Sequence, residues 1–526
     1  MTGLATAGIH SPTANTIDSA HAFHVDLTII DPLLIGTPTD STLTHRCAGG
    51  RRYASFTVND QPPSDTSTSD TSTSEPSGSR YSNSRTTSIA VALTLTTFAA
   101  IVVPAAPLRW VALVVAALLH ATLIRQLRRG ASLDVRATVA AVALLLVTGV
   151  AVAPQRSKDI WSYATDGSMV VRHHRSPYTH RPRDIPGDAF AKLVSPGWRS
   201  AREVYGPVFH GVSVIGAHLY GQSPLTARLY FQGLAALSAA LALLLLWRVT
   251  HEPATVAVFG LCPAFLVMIV HEGHNDAMVG VLVLLTVVTL RSRRRSMLVN
   301  VPLLIVALIK LPTLLFTVMV AMWLWSGRGL RTAVAIAGTV GAGLVIGYLT
   351  VGGMTALRPT LDASNLRSGM TLWTTLARLT GGDARWTSTA APFLVVVSVV
   401  VVVIARRGDA DPTVAVVSVG LVFVLGAAYA VPWYYGWVLP AAALVWRSRT
   451  GVAAFLLVNA FAVAYGTGHP LRISFVTPRW SEAGRIIWSV IELMAFSVLV
   501  AELTRRAVQR HRVQRHRVAG AASNRF

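Results

Sequence analysis

From residue 88 onward the chain is a succession of apolar runs, most of them roughly 15–25 residues long, separated by short polar or basic connectors. In a bilayer a run of that length is stable only as a helix, because each backbone N–H and C=O must find its partner within the segment. The composition agrees. Charged residues make up 13% of the sequence and the mean hydropathy is +0.51, a charge content about half that of a soluble domain. The expected fold class is an all-α polytopic membrane protein. Candidate spans lie near 88–105, 108–124, 136–154, 226–248, 253–271, 275–290, 297–309, 312–326, 331–351, 389–405, 412–431, 435–447, 451–466 and 484–503, which gives about 13–14 transmembrane helices.

Residues 1–86 form a polar tail, and its Gln61–Arg85 stretch of Ser, Thr, Asp and Pro is expected to be disordered. No basic n-region leads at once into an apolar core, so no cleavable signal peptide is expected. Residues 87–504 are expected to form the membrane domain, and residues 505–526 a basic cytoplasmic tail.

A formal net charge of +22 could suggest nucleic acid, but its placement argues against that partner. The basic residues gather between apolar runs, at Arg125–Arg129, Arg291–Arg295, Arg328–Arg331, Arg406–Arg407 and Arg447–Arg449. Such clusters mark cytoplasmic loops and suit anionic lipid head groups. Fixing them inside yields a multi-pass plasma-membrane protein with both termini cytoplasmic. The path closes only if loop 155–225 is external, with Gly206–Gly221 lying along the interface or re-entering. Four features then share the external face: the loop from Lys158, the HEGHND turn (His271–Asp276), a break at Lys310, and the loop 352–388. Cys47 and Cys262, the two cysteines, support neither a disulfide framework nor a cysteine metal site.

The first external loop opens with RSKDIWSYATDG, which puts Asp159 at the membrane boundary beside Trp161 and Tyr163. A carboxylate there can serve as general base for a hydroxyl acceptor, or simply end a membrane helix. Further on, Arg172, His173, His174, Arg175, His180, Arg181 and Arg183 supply cations suited to a phosphate, and Tyr178, Trp198 and Tyr205 can stack on sugar faces. An ordinary basic external loop has the same composition. In HEGHND, His271, His274 and Asp276 have a ligand-like spacing, but the stretch is not HExxH and no metal is expected. Asn275 and Asp276 are expected to cap the next helix, whose N-terminus, with His274, could also hold an anion. Lys310, followed by Leu311 and Pro312, reads as the external tip of a tight hairpin, either snorkelling or clamping a phosphate. Tyr429, Trp433, Tyr434, Tyr435 and Trp437 read as an aromatic belt, or as a wall for sugar or prenyl groups. Arg358, Asp362, Asn365 and Arg367 form no readable motif. No P-loop, dinucleotide fingerprint, nucleophile elbow or inverted repeat is present, which argues against an ATP-driven pump.

The order of blocks is more telling than any single one. DIWSYATDG, SPYTHRP, W-x6-YGPVF, CPAFLVMIVHEGHNDAMVG and ALIKLP together resemble the polyprenol-phosphomannose-dependent α-1,6-mannosyltransferases of the actinobacterial envelope, across about residues 88–500. The resemblance implies a GT-C type membrane glycosyltransferase with a long first external loop carrying the catalytic acidic residue. It implies Asp159 as the base, with Asp166 second, and sets His274, Asn275, Asp276 and Lys310 on the family's HND and K-x-P blocks. The implied donor is polyprenyl-phosphate-mannose, the implied acceptor a lipid-anchored α-1,6-mannan (the lipomannan and lipoarabinomannan backbone), and no cofactor is expected. Substrate-binding candidates are His274, Asn275, Asp276, Lys310, Arg172, Arg175, Tyr178, Arg181 and Tyr205. Two features depart from the family pattern: His271-Glu272-Gly273 where members tend to carry Gly-Gly-x, and the long polar tail. A transferase for another lipid-linked sugar, such as arabinofuranose or glucose, and a transporter or lipid flippase remain the alternative readings.

Overall fold

The computed structural model describes residues 78–292, 296–363, 366, 368, 371–381, 390–407 and 411–468, with scattered positions from 486 to 508. Asn365, Arg367, Cys47, nearly all of the polar tail and the end of the basic tail lie outside the described residues. Those described form helices and turns with no strand among them. In chain order they are α1 (Gly78–Val102), α2 (Ala106–Arg128), α3 (Val135–Ala151), α4 (Asp159–Val171), α5 (Pro207–Tyr220), α6 (Pro224–Thr250) and α7 (Pro253–Gly260). Next come α8 (Pro263–Phe265), α9 (Asp276–Arg291), α10 (Asn300–Ile309), α11 (Leu314–Arg328), α12 (Leu330–Leu349), α13 (Met354–Ala363) and α14 (Leu372–Leu379). The last are α15 (Ala390–Arg407), α16 (Pro412–Gly426), α17 (Leu439–Ala443) and α18 (Arg449–Gly468).

The helix starts obey local chemistry. Proline occupies the first turn of α2, α5, α6, α7, α8 and α16, where its missing N–H costs nothing. Asp134, Ser223 and Asp411 cap α3, α6 and α16 by accepting from Ala137, Thr226 and Thr413 at 2.6, 3.3 and 2.8 Å. The outward faces are apolar: Leu118, Val147 and Leu349 are 64%, 67% and 67% exposed. Such surfaces belong against lipid rather than water.

Among the described residues, five helices are long and apolar enough to cross a membrane, or six if the bent pair α7–α8 is one span. That is fewer than the count expected from the sequence, because several of the expected spans are short helices. The runs at 297–309 and 312–326 fold as helices of 10 and 15 residues on either side of Lys310–Thr313, and the 435–447 run is part of a 3-10 stretch (Pro432–Trp437) followed by the five-residue α17. Removing an N–H and clashing with the preceding turn, proline ends a helix that the hydropathy alone would continue.

The bend of 48° between α7 and α8 leaves backbone groups to be satisfied inside the bundle. Asn459 of α18 supplies the acceptor, taking the Ala264 N–H at 3.2 Å. Its amide nitrogen lies 2.9 Å from His120 Nδ1, and His120 Nε2 lies 2.9 Å from the Val258 carbonyl. These partners set the tautomer: Nε2 donates to the carbonyl and Nδ1 accepts from the amide. A polar chain thus crosses from α2 to α18 and holds the broken helix that leads into the site.

Candidate active site

Beyond α8 the helix loosens into a π turn, Leu266–Val270, before the polar turn begins. His271 N–H donates to the Leu266 carbonyl at 2.9 Å and His274 N–H to that of Ile269 at 3.0 Å, each five residues back. Such a bulge rotates the downstream residues away from the course a regular α-helix would give them. Gly273 then takes φ +69°, and a Cβ there would come within 2.8 Å of Ile160 Cγ2. Glycine is therefore required on both counts, and its bareness brings the turn against the first residues of α4. The amide nitrogen of Gln232 lies within hydrogen-bonding distance of the Gly149, Val152 and His271 carbonyls and ties the turn to the end of α3.

Asn275 and Asp276 stand at the start of α9 but do not cap it; no side-chain cap hydrogen bond forms there. Their oxygens turn to Lys310 instead, whose ammonium donates to Asp276 Oδ1 at 2.8 Å and Asn275 Oδ1 at 3.3 Å. Trp437 Nε1–H donates to the same Asp276 oxygen. Lys310 adopts an extended conformation (φ −150°, ψ 103°) between α10 and the 3-10 turn Leu311–Thr313. Rather than an exposed hairpin tip it is 7% exposed, with its ammonium 4.7 Å from the Tyr434 ring centroid, 5.6 Å from Trp437 and 5.7 Å from Tyr205. A lysine offered a buried carboxylate and three aromatic faces is drawn inward, since the pair and the rings replace its hydration.

Asp159 is the first residue of α4, where the helix dipole favours the charged form. A quarter of its side chain (26%) faces open space, yet desolvation by the surrounding protein dominates and pushes the carboxyl up to about 6. The hydrogen bond with Ser157 and the Lys310 charge oppose that shift, while Asp276 and Glu272 add to it. Its Oδ2 lies 3.5 Å from His274 Nδ1, and that imidazole stacks on Trp433 with centroids 4.1 Å apart and planes at 13°.

These groups surround a cavity of about 350 Å³ whose lining includes Asp159, Asp166, Tyr205, Lys310, Trp433 and Tyr434. Asp166 lies two turns along α4 from Asp159 on the same side of the helix. It shares its end of the cavity with Glu203, whose Oε2 lies 2.7 Å from His210 Nδ1. Burial raises both carboxyls well above the usual range, and the neighbouring Glu203 raises Asp166 further. A smaller adjoining hollow of about 260 Å³, lined in part by Arg181, Trp198, Arg202 and Asp362, shares Trp198 and Arg202 with the first.

Asp159, Asp166, Tyr205 and Lys310 thus line one cavity, while Asn275 and Asp276 stand just behind it and hold Lys310, and His274 lies 3.5 Å from Asp159. Tyr178 is buried away from the opening and donates to the Tyr205 carbonyl at 3.0 Å. Arg172 and Arg175 do not line it: they donate to the Ala217 and Asp184 carbonyls at 3.2 and 3.1 Å. Arg181 reaches the smaller hollow only. Sequence reasoning passed over Glu203, a lone carboxylate among aromatic residues in SAREVYGPVF, and gave Glu272 no role beyond its departure from the family pattern. Among the described residues no three His, Cys, Asp or Glu side chains converge as a metal site requires.

Comparison with known proteins bears on this arrangement. Residues 73–327 match the α-(1→6)-mannopyranosyltransferase family, over what is described as its N-terminal domain. An α-(1→6)-mannopyranosyltransferase A from Mycobacterium tuberculosis (strain ATCC 25618 / H37Rv) is 25% identical over 336 residues, which cover 57% of this chain and 64% of the relative. The chain thus spans just under two thirds of that relative's length. No solved structure matches. The family likeness drawn from the motifs is shown across the part of the chain that holds Asp159, the His271–Asp276 turn and Lys310.

Proposed function

We propose, from that family likeness over residues 73–327, that this membrane protein transfers mannose from polyprenyl-phosphate-mannose to a growing lipid-anchored α-1,6-mannan, on the outer face of the membrane. The observation that carries the reading is a single cavity lined by Asp159, whose carboxyl burial pushes up to about 6, and by a buried lysine fixed by Asp276 and Asn275. At neutral pH Asp159 is mostly ionised and able to take a proton.

In the proposed step an acceptor mannose hydroxyl gives its proton to Asp159 as its oxygen bonds to the donor's anomeric carbon. The bond from that carbon to the phosphate oxygen breaks, and polyprenyl phosphate leaves with the electron pair. Lys310 uses two of its three N–H donors on Asp276 and Asn275, and the third is available to the departing phosphate. Because the ammonium is already held, it stabilises charge without reorganising in the transition state. Trp433, Tyr434 and Tyr205 offer faces for sugar rings, and Leu394, Phe423 and Ala427 give the cavity an apolar side suited to the first prenyl unit.

The test is transfer of radiolabelled mannose from polyprenyl-phosphate-mannose to a short α-1,6-mannoside by membranes containing this protein, beside Asp159→Asn at equal expression. Elongation that disappears in the variant supports both donor and base. Transfer from a different lipid-linked sugar alone would reassign the donor, and inertness with every such sugar would sink the enzyme reading in favour of transport.

A further inference from the structure

Residues 152–158, between α3 and α4, have no regular secondary structure to set where α4 begins. One side chain replaces that restraint. Glu272, 2% exposed, accepts the N–H of three successive residues: Gln155 at 3.3 Å on Oε1, Arg156 at 3.1 Å and Ser157 at 2.7 Å on Oε2. Consecutive amides converging on an anion form a strong cradle, because charge-assisted bonds to backbone N–H groups reinforce one another away from water. Arg109 and Arg156 are close enough to be attracted by the same charge. The chain then passes the constraint on, since Ser157 Oγ accepts the backbone N–H of Asp159 at 3.1 Å.

We propose that Glu272 is a positioning residue for Asp159, fixing the segment that delivers the base to the cavity. The inference rests on Asp159 being that base, as proposed above. Its force lies in where Glu272 stands. The same turn carries His274, 3.5 Å from Asp159, and Asp276, which holds Lys310. Through Glu272 the turn sets the base as well as the cationic clamp, so the spacing between them is governed by one five-residue segment.

Two readouts on the full-length protein test it. The first is hydrogen exchange of the peptide covering residues 154–162 in wild type, Glu272→Gln, Glu272→Ala and Glu272→Asp. The amides of 155–157 should exchange on the order of tenfold faster or more in the Gln and Ala variants, and less so in Asp, with peptides from α2 unchanged. The second is mannosyl transfer, where kcat should fall about tenfold or more in Glu272→Gln, with both KM values within about twofold. The acid limb of its pH profile should leave the region of pH 6, and Glu272→Asp should recover part of the loss. Unchanged exchange would overturn the proposal. So would a loss of activity that tracks only the amount of folded protein, with the acid limb unmoved. A wild-type protein inert towards this donor would defeat the proposed function, while the exchange measurement would still judge the cradle.

Discussion

Asp159 and Asp166 lie on one side of the same helix, seven residues apart, and line the same cavity, yet they are chemically different groups. Asp159 keeps 26% of its side chain open and feels Lys310, so its carboxyl stops near 6. Asp166 is 5% exposed and feels another carboxyl, Glu203, opposed by a smaller effect of His210, and is held well above the usual range. At neutral pH the first is mostly ionised, while burial and the Glu203 charge drive the second toward its neutral form. Two acids along one helix can thus be given different proton affinities by their neighbours alone.

The sharpest way to break that contrast is to remove the charge at each position in turn. Asp159→Asn should lower kcat by about a thousandfold, the scale of a lost general base, measured as initial transfer rates at equal folded protein. Next in size is Lys310→Met, which strands Asp276 as a buried unpaired carboxylate and should cost about 3–5 kcal/mol of stability. Thermal unfolding in detergent would register this, and adding Asp276→Asn should restore much of the loss. The pH profile comes third. With Asp159 as the proposed base, which acts only when ionised, the rate should fall about tenfold per unit below pH 6 and level off above it. The sign for stability is opposite. A folded pKa raised above the unfolded value means that protonation favours the fold, so this group's contribution is greatest below about pH 4 and is lost as pH rises through 6. Smallest is Asp166→Asn. An amide mimics the neutral form toward which burial and Glu203 drive this carboxyl, so activity should change by about threefold at most and the acid limb should stay in place. A large effect with a shifted limb would exchange the roles of the two acids.

Much of this is legible in the amino-acid order itself. Apolar length alone dictates membrane helices, and the HND and K-x-P blocks do meet around Asp159. What the sequence hides is direction. Arg172, Arg175 and Arg181 read alike as phosphate ligands, but loop composition does not say which way a side chain turns, and the first two are taken up by backbone carbonyls. Asn275 and Asp276 carry the residue types of a helix cap, and a lysine thirty-four residues downstream from Asp276 outcompetes the helix for their oxygens. The division of the 297–326 run at Lys310 and Pro312 is legible in the sequence and the two helices do fall on either side of it, but hydropathy does not say that the lysine turns inward.

The π turn at Leu266–Val270 gives the molecule a particular intolerance. A π turn is an α-helix with one residue too many, so deleting any one residue among these five would let the ladder close regularly. Hydropathy and burial would scarcely change. Every later residue of the turn would nonetheless be wound about 100° around the helix axis and drawn back about 1.5 Å, carrying His271–Asp276 off the cavity. Substitutions in this apolar stretch are cheap by comparison: Ile for Val or Met for Leu alters a contact. The segment is thus one in which spelling is free and letter count is not, and a lineage can drift there in every way except by a single-codon insertion or deletion.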